Sequence, residues 1–263
     1  MTDPFKITGP TCISFSGGRT SAYMLWRVLQ SNGGLPSEAR VLFCNTGKEH
    51  EATLRFVRDC QQAWNVDITW LEFRGDDPRY AVVNYDNASR DGEPFAELIT
   101  KRSYLPNPVA RFCTSELKVL TIERYMKATG MEDYDTMLGI RADEKRRVAK
   151  LREGNLTPLV NANVSQPDVQ AFWRNQPFDL GLEHRSGITA WGNCDLCFLK
   201  GPNQVLSLIR DQPERAVWWA KMEEQIGGTF RSDRPSYAEM AKFAERQQDM
   251  FADDEGIPCF CGD

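Results

Sequence analysis

Thr11-Cys12-Ile13-Ser14-Phe15-Ser16-Gly17-Gly18-Arg19-Thr20-Ser21 is the stretch on which the fold turns. Its first five residues are short, apolar and β-rich, and they stop at a serine and two glycines. Residues 19–31 then carry Met24, Leu25, Val28 and Leu29 at the spacing of one helical face. A buried strand that runs into a helix through a glycine turn is one half of a βαβ unit. The turn has chemistry of its own. Glycines permit a tight bend that bares backbone N–H groups. The helix start adds partial positive charge, and Ser16, Thr20 and Ser21 add hydroxyls. Together they make a cradle for phosphate or sulfate. The spacing is neither that of a Walker A loop nor that of the Gly-x-Gly-x-x-Gly dinucleotide turn.

The same alternation continues outward. Val41–Cys44 reads as a second buried strand, stopped by Asn45-Thr46-Gly47. Residues 50–64 read as a helix with Leu54, Val57, Cys60 and Trp64 on one face. Ile68–Phe73 reads as a third strand, residues 74–112 as a mixed segment, Ser115–Ala128 as a helix and Thr136–Ile140 as a fourth strand. Strands alternating with helices predict a parallel sheet covered on both faces. Beyond about residue 160 the strand signals fade. Helical stretches follow over 168–175, 202–210, 213–225 and 236–251, with Trp218 and Trp219 in the third, where a core helix is the favoured reading. The expected architecture is therefore α/β: a doubly wound, Rossmann-like parallel sheet in a nucleotide-type domain over residues 1–165, and a helical, cysteine-bearing C-terminal portion over 166–263.

Composition narrows the function. The 263 residues carry a net charge of −5, so any nucleic-acid contact is confined to a local patch. No stretch approaches a membrane span, and Met1–Pro10 lacks the pattern of a secretory signal, so a cytoplasmic address is expected. Eight cysteines in such a setting point to metal or redox chemistry rather than disulfides. Cys12, Cys44 and Cys60 lie in apolar positions and read as core. Cys113, Cys194, Cys197, Cys259 and Cys261 do not. Cys194-Asp195-Leu196-Cys197 can grip one metal from a tight turn. Cys113 is expected at a helix N-terminus, which favours the thiolate. Four thiolates would suit iron–sulfur or zinc alike.

Four motifs in order carry a resemblance. Ser16-Gly17-Gly18-Arg19-Thr20-Ser21 looks like the PP-loop of the adenine nucleotide alpha-hydrolase-like superfamily. Asn45-Thr46-Gly47-Lys48-Glu49 resembles that superfamily's second motif. Gly139-Ile140-Arg141-Ala142-Asp143-Glu144-Lys145-Arg146-Arg147 resembles its Gly-x-Arg segment; the basic run Lys145, Arg146, Arg147, Lys150 and Arg152 reads either as a solvated loop or as a phosphate-gripping flap or nucleic-acid contact. Pro158-Leu159, Asp168-Val169 and Phe172-Trp173 resemble the segment that follows in phosphoadenosine phosphosulfate (PAPS) reductases. The resemblance covers roughly residues 10–175. Arg111–Lys118 around Cys113 is also similar to the iron–sulfur sulfurtransferase of the DNA phosphorothioation system, which has a lone cysteine there and a later Cys-x-x-Cys.

The resemblance implies ATP, or a sulfonucleotide, on the glycine loop, with Mg²⁺ on its phosphates. Phe43, Asn45, Thr46, Gly47 and Glu49 would frame the nucleotide, and Arg141 and Arg147 would stabilise charge at the α-phosphate. It implies a [4Fe–4S] cluster on Cys113, Cys194, Cys197 and a terminal cysteine, Cys261 being assigned as ligand and Cys259 as nucleophile, though the two could exchange. The expected reaction is adenylylation of an acceptor, a tRNA, a DNA or a small molecule, followed by sulfur transfer. A sulfur or electron donor would be required, and a homo-oligomer is compatible with the sequence. The alternatives are a PAPS or APS reductase and a non-catalytic nucleotide-sensing subunit. The ending Cys259-Phe260-Cys261-Gly262-Asp263 lacks the Glu and His of the reductases' terminal Glu-Cys-Gly-x-His motif, which weighs against simple reduction. His50 is expected as a solvent-exposed residue at a helix start.

Overall fold

The computed structural model describes residues 3–151, 154–185 and 188–246. In chain order the elements are β1 (Thr11–Ser14), α1 (Arg19–Asn32), β2 (Ala39–Asn45), α2 (Glu51–Trp64), β3 (Ile68–Phe73), β4 (Tyr80–Val83), α3 (Glu93–Arg102), α4 (Phe112–Thr114), α5 (Leu120–Ala128), β5 (Asp135–Leu138), α6 (Lys145–Val148), β6 (Asn155–Leu156), α7 (Pro158–Asn161), α8 (Gln166–Arg174), β7 (His184–Arg185), β8 (Ile188–Thr189), α9 (Pro202–Asp211), α10 (Arg215–Ile226) and α11 (Tyr237–Arg246). Between α4 and α5, Ser115–Val119 is wound as a π-helix, so the expected single helix is broken by one wide turn just after Cys113.

Six strands form one sheet in the order β4-β3-β2-β1-β5-β6. β1 pairs parallel with β2 and β5, with Ile13 opposite both Val41 and Met137. β2–β3 and β5–β6 are also parallel. The sheet is not wholly parallel, as the alternation had implied. β4, within the segment read only as mixed, folds back antiparallel on β3 and forms one edge. A second, two-stranded antiparallel sheet joins β7 and β8.

Side chains alternate across the strands. Ile13, Val41, Phe43 and Trp70 face one way and pack with Met24 and Val28 of α1 and Val57 of α2. Cys12, Leu42, Cys44 and Leu71 face the other way, onto Met126 of α5. The strands are buried on both faces, so they read as unbroken apolar runs. The three cysteines assigned to the core are buried. Burial pushes the Cys12 thiol up to about 12, and Cys60 is raised likewise. The larger buried cluster extends beyond residue 165, through Val205, Trp219, Phe230 and Tyr237. Trp219 is fully buried, and Trp218 packs partly buried beside it. Among the described residues no helix is long and apolar enough to cross a membrane.

Candidate functional site

The glycine turn leaves β1, an interior strand, at the C-terminal ends of the strands, where β1 and β5 finish side by side. Gly17 sits at φ +78°, and a Cβ there would lie 2.8 Å from the Thr53 methyl and 3.1 Å from the Phe43 ring. Only glycine fits both constraints. The Ser16 N–H donates to Ser21 Oγ (3.2 Å), and the two serine hydroxyls are 2.9 Å apart. Ser21 Oγ in turn donates to the Gly18 carbonyl (3.0 Å). The loop is thus tied by its own side chains. A cavity of mixed polarity opens over it, lined by Ser16, Gly17, Gly18, Arg19, Thr20 and Arg141, and also by Gln166, Gln170, His184 and Asn193.

Arg141 reaches this cavity because β5 comes very close to α1. A Cβ on Gly139 would lie 2.9 Å from Ser21 Cα. Arg141 Nη1 donates to Thr20 Oγ1 (2.9 Å) and its Nε to Asp143 (3.1 Å), while its backbone N–H donates to Glu144 (2.8 Å). Glu144 also holds Arg147 at 2.7 Å. Arg147 is buried and does not line the cavity, and its Nε has no hydrogen-bond partner among the described residues. The Arg19 guanidinium grips Asp179 with two bonds (2.6 and 2.5 Å) and contacts His184 Nε2 at 2.6 Å. Burial would raise the Asp179 carboxyl, but the bonds from Arg19 outweigh it and hold it low. Lys145, Arg146 and Lys150 are exposed; Arg152 lies outside the described residues.

The residues of the second motif are buried. Phe43 is buried in the core, edge-on to Trp70 at 5.0 Å. Asn45 is fully buried, donates to Glu72 (2.6 Å) and the Ser89 carbonyl (2.8 Å), and accepts from the Gly47 N–H. Glu49 accepts from the Thr46 N–H (2.8 Å) and hydroxyl. At Gly47 (φ +76°) a Cβ would lie 2.9 Å from the Gly92 backbone. None of Phe43, Asn45, Gly47 and Glu49 lines the cavity over the glycine turn; Thr46 lines a second cavity instead. His50 is half-buried rather than exposed. It caps α2, its Nδ1 accepting from the Ala52 N–H (3.1 Å), and its ring lies 5.5 Å from that of Trp191.

The second cavity brings together Cys113, Cys194 and Cys197, with apolar walls from Phe95, Leu117, Phe198 and Trp219. Thr46 Oγ1 is 3.5 Å from Cys194 Sγ. The three thiols line a shared space; among the described residues no three His, Cys, Asp or Glu side chains form a closed metal-binding group. Cys259 and Cys261 lie outside the described residues. Asn193, held at φ +59°, lines both cavities, so the glycine turn and the cysteines are neighbours.

The Cys-x-x-Cys turn is strapped from several directions. Cys194 bridges to Glu49, and the Asp195 N–H donates to the Lys48 carbonyl (2.7 Å). Asp195 is fully buried. Its Oδ1 accepts from Trp219 Nε1 (2.8 Å) and the Leu196 N–H (2.7 Å), and its Oδ2 faces Lys48 Nζ at 3.2 Å and Arg215 Nη1 at 3.5 Å. Tyr237 donates to the Leu196 carbonyl (2.5 Å), and Lys200 Nζ to the Gly192 (2.5 Å) and Cys194 (3.1 Å) carbonyls. Sequence reasoning missed Lys48, Asp195, Lys200 and Asn193 as parts of the site. Asp195 alone carried a hint, as an acid inside the cysteine pair.

Fold and site together define an α/β protein whose glycine turn opens on one cavity beside a second that three cysteines line. No protein-family model matches the sequence. The uncharacterized nin region protein ORF290 of Escherichia phage lambda is 32% identical over 210 residues, 76% of this chain and 69% of the relative. The chain belongs to the family of that phage protein. An uncharacterized protein of Methanocaldococcus jannaschii, MJ0066, is 26% identical over 148 residues, 56% of this chain and 26% of the relative, so the match spans about a quarter of the archaeal protein.

Proposed function

We propose that this protein is a PP-loop enzyme of the PAPS reductase-like group that activates an acceptor with ATP and then transfers sulfur to it, using a [4Fe–4S] cluster. The observation that carries the reading is the adjacency of the two cavities through Asn193. A site that only bound a nucleotide would have no need of three cysteines beside it. The sheet order supports a doubly wound fold: it reverses direction between β1 and β5, where open α/β sheets take their ligands, and both faces of the sheet are covered.

The residues fit their roles unequally. The backbone of Ser16–Gly18 and the hydroxyl of Thr20 would bind phosphate oxygens. Arg141, already on Thr20, would stabilise charge at the α-phosphate. Arg147 would act from behind through Glu144, or by turning its unpartnered Nε forward. Arg19 would have to leave Asp179 to reach a phosphate. No carboxylate among the described residues lines the cavity, so Mg²⁺ would ride on the nucleotide's own oxygens. Cys113, Cys194 and Cys197 would hold the cluster, whose donor set suits soft thiolate ligation within apolar walls. When bound, the cluster would supply sulfur or electrons. The fourth ligand and the nucleophile, assigned to Cys261 and Cys259, fall outside the described residues.

Anaerobic purification with iron and sulfide analysis, combined with pyrophosphate detection from ATP, tests the reading. Roughly four irons and four sulfides per chain with pyrophosphate release are expected. Iron without pyrophosphate, but with reduction of a sulfonucleotide, would move the protein to the reductase reading. A colourless protein after reconstitution would overturn the cluster.

A further inference from the structure

Three cations are buried among the described residues: Lys48, Arg147 and Lys200. Lys48 has Asp195 at 3.2 Å, and Arg147 has Glu144 at 2.7 Å. Lys200 has no carboxylate within ion-pair distance among the described residues. Its Nζ is held only by two neutral acceptors, the carbonyls of Gly192 (2.5 Å) and Cys194 (3.1 Å). A buried charge without a counter-charge is costly, and proteins pair such groups or supply an ion. The other charges around the turn do not meet the need. Asp195 is already shared by Lys48 and Arg215, and Glu49 is turned onto Thr46. Lys200 is bonded to the backbone of both cysteines of the turn, its ammonium to the Cys194 carbonyl and its N–H to the Cys197 carbonyl (2.9 Å), and the thiols of these two residues are groups of the turn that can carry negative charge.

We propose that Lys200 is a positioning and charge-compensating residue for an anionic metal–thiolate group on Cys194 and Cys197. The inference rests on the reading above that these cysteines hold a metal centre. Two jobs fall to one side chain. The ammonium fixes the turn by its carbonyls, so that Cys194 and Cys197 project into one cavity. Its charge also favours the more negative state of whatever the thiolates bind, which raises the reduction potential of a bound cluster.

The full chain is purified anaerobically and reconstituted with iron and sulfide as wild type, Lys200→Arg and Lys200→Gln. Iron content and the midpoint potential of the bound cluster are measured. Glutamine keeps an N–H donor for the carbonyls and removes only the charge. Lys200→Gln is expected to shift the potential to lower values and to lose part of its iron, and Lys200→Arg to stay near wild type. A merely structural lysine would leave the potential of the retained cluster unmoved, and that result in Lys200→Gln would overturn the inference while leaving the cluster intact. A wild type that takes up no iron would overturn the parent reading and this one together. Should Lys200→Gln fail to fold, Lys200→Met replaces it, and the same potential as wild type would again be the overturning result.

Discussion

The glycine turn and the cysteine turn are neighbours built on opposite plans. The bend of Ser16–Ser21 is tied mainly by itself: the bonds that shape it link residues three and five positions apart around one left-handed glycine, and the distant groups Asp179 and Arg141 hold only the side chains of Arg19 and Thr20 at its helix end. The Cys194–Cys197 turn is tied from far away. Lys48 comes from the loop between β2 and α2, Trp219 from α10 and Tyr237 from α11. A self-tied loop depends on backbone geometry and keeps its shape wherever the strand and helix beside it form. A turn tied at a distance takes its shape only once α10 and α11 have packed against it. Its energy is concentrated in a few buried polar side chains, so single substitutions there should do the most harm.

The largest effect is expected at Asp195. Asp195→Ala would leave Lys48 and Arg215 facing each other without a carboxylate and would strip Trp219 Nε1 of its acceptor. Breaking a buried pair from one side costs about 3–5 kcal/mol, to be read from urea unfolding. A loss below about 1 kcal/mol, the scale of an exposed pair, would break the contrast between the two turns. Next comes Gly17→Ala. Its positive φ and the 2.8 Å approach to Thr53 both penalise a methyl group, a strain of about 1–3 kcal/mol. Calorimetric titration with ATP should show weakened binding in the same variant, because the displaced backbone is the cradle. Unchanged affinity would separate the loop from nucleotide binding.

The same contrast explains what the sequence could tell. β1, α1, β2, α2 and β3 were legible because periodicity and glycine position are local signals. β4 was not: Tyr80–Val83 is four residues long, and its antiparallel pairing with β3 depends on a reversal through Arg79 at φ +64° that no repeat announces. The cysteines were legible by spacing, and three of them do share a cavity. What holds them was not legible. Lys48 and Asp195 are 147 residues apart in sequence, and nothing in either neighbourhood predicts that both are buried. Asn45 and Glu49 show the converse. Their motif was legible, but the structure spends their side chains on Glu72, Ser89 and Thr46.

His50 is where the two plans meet, and it offers the smallest and most selective test. It caps α2, whose Thr53 packs against Gly17 of the glycine turn, and its ring packs on Trp191, which leads into the cysteine turn. Burial first, and then the nearby charge of Arg215, lowers its pKa below the ordinary 6.5. The cap agrees with this sign, since Nδ1 can accept from Ala52 N–H only while it carries no proton. The unfolded chain therefore takes up the proton first as pH falls. The stability tied to neutral His50 is fully present above pH 6.5 and is lost as the pH drops through the lowered folded pKa. His50→Asn keeps a capping acceptor but cannot titrate. Urea midpoints measured from about pH 7.5 down to about 5 should fall less steeply for the variant than for the wild type. Any contribution from His184 is common to both proteins and cancels in the difference. Parallel curves would mean that the ring is as well solvated as in the unfolded chain, and that the contact with Trp191 does not join the two sides.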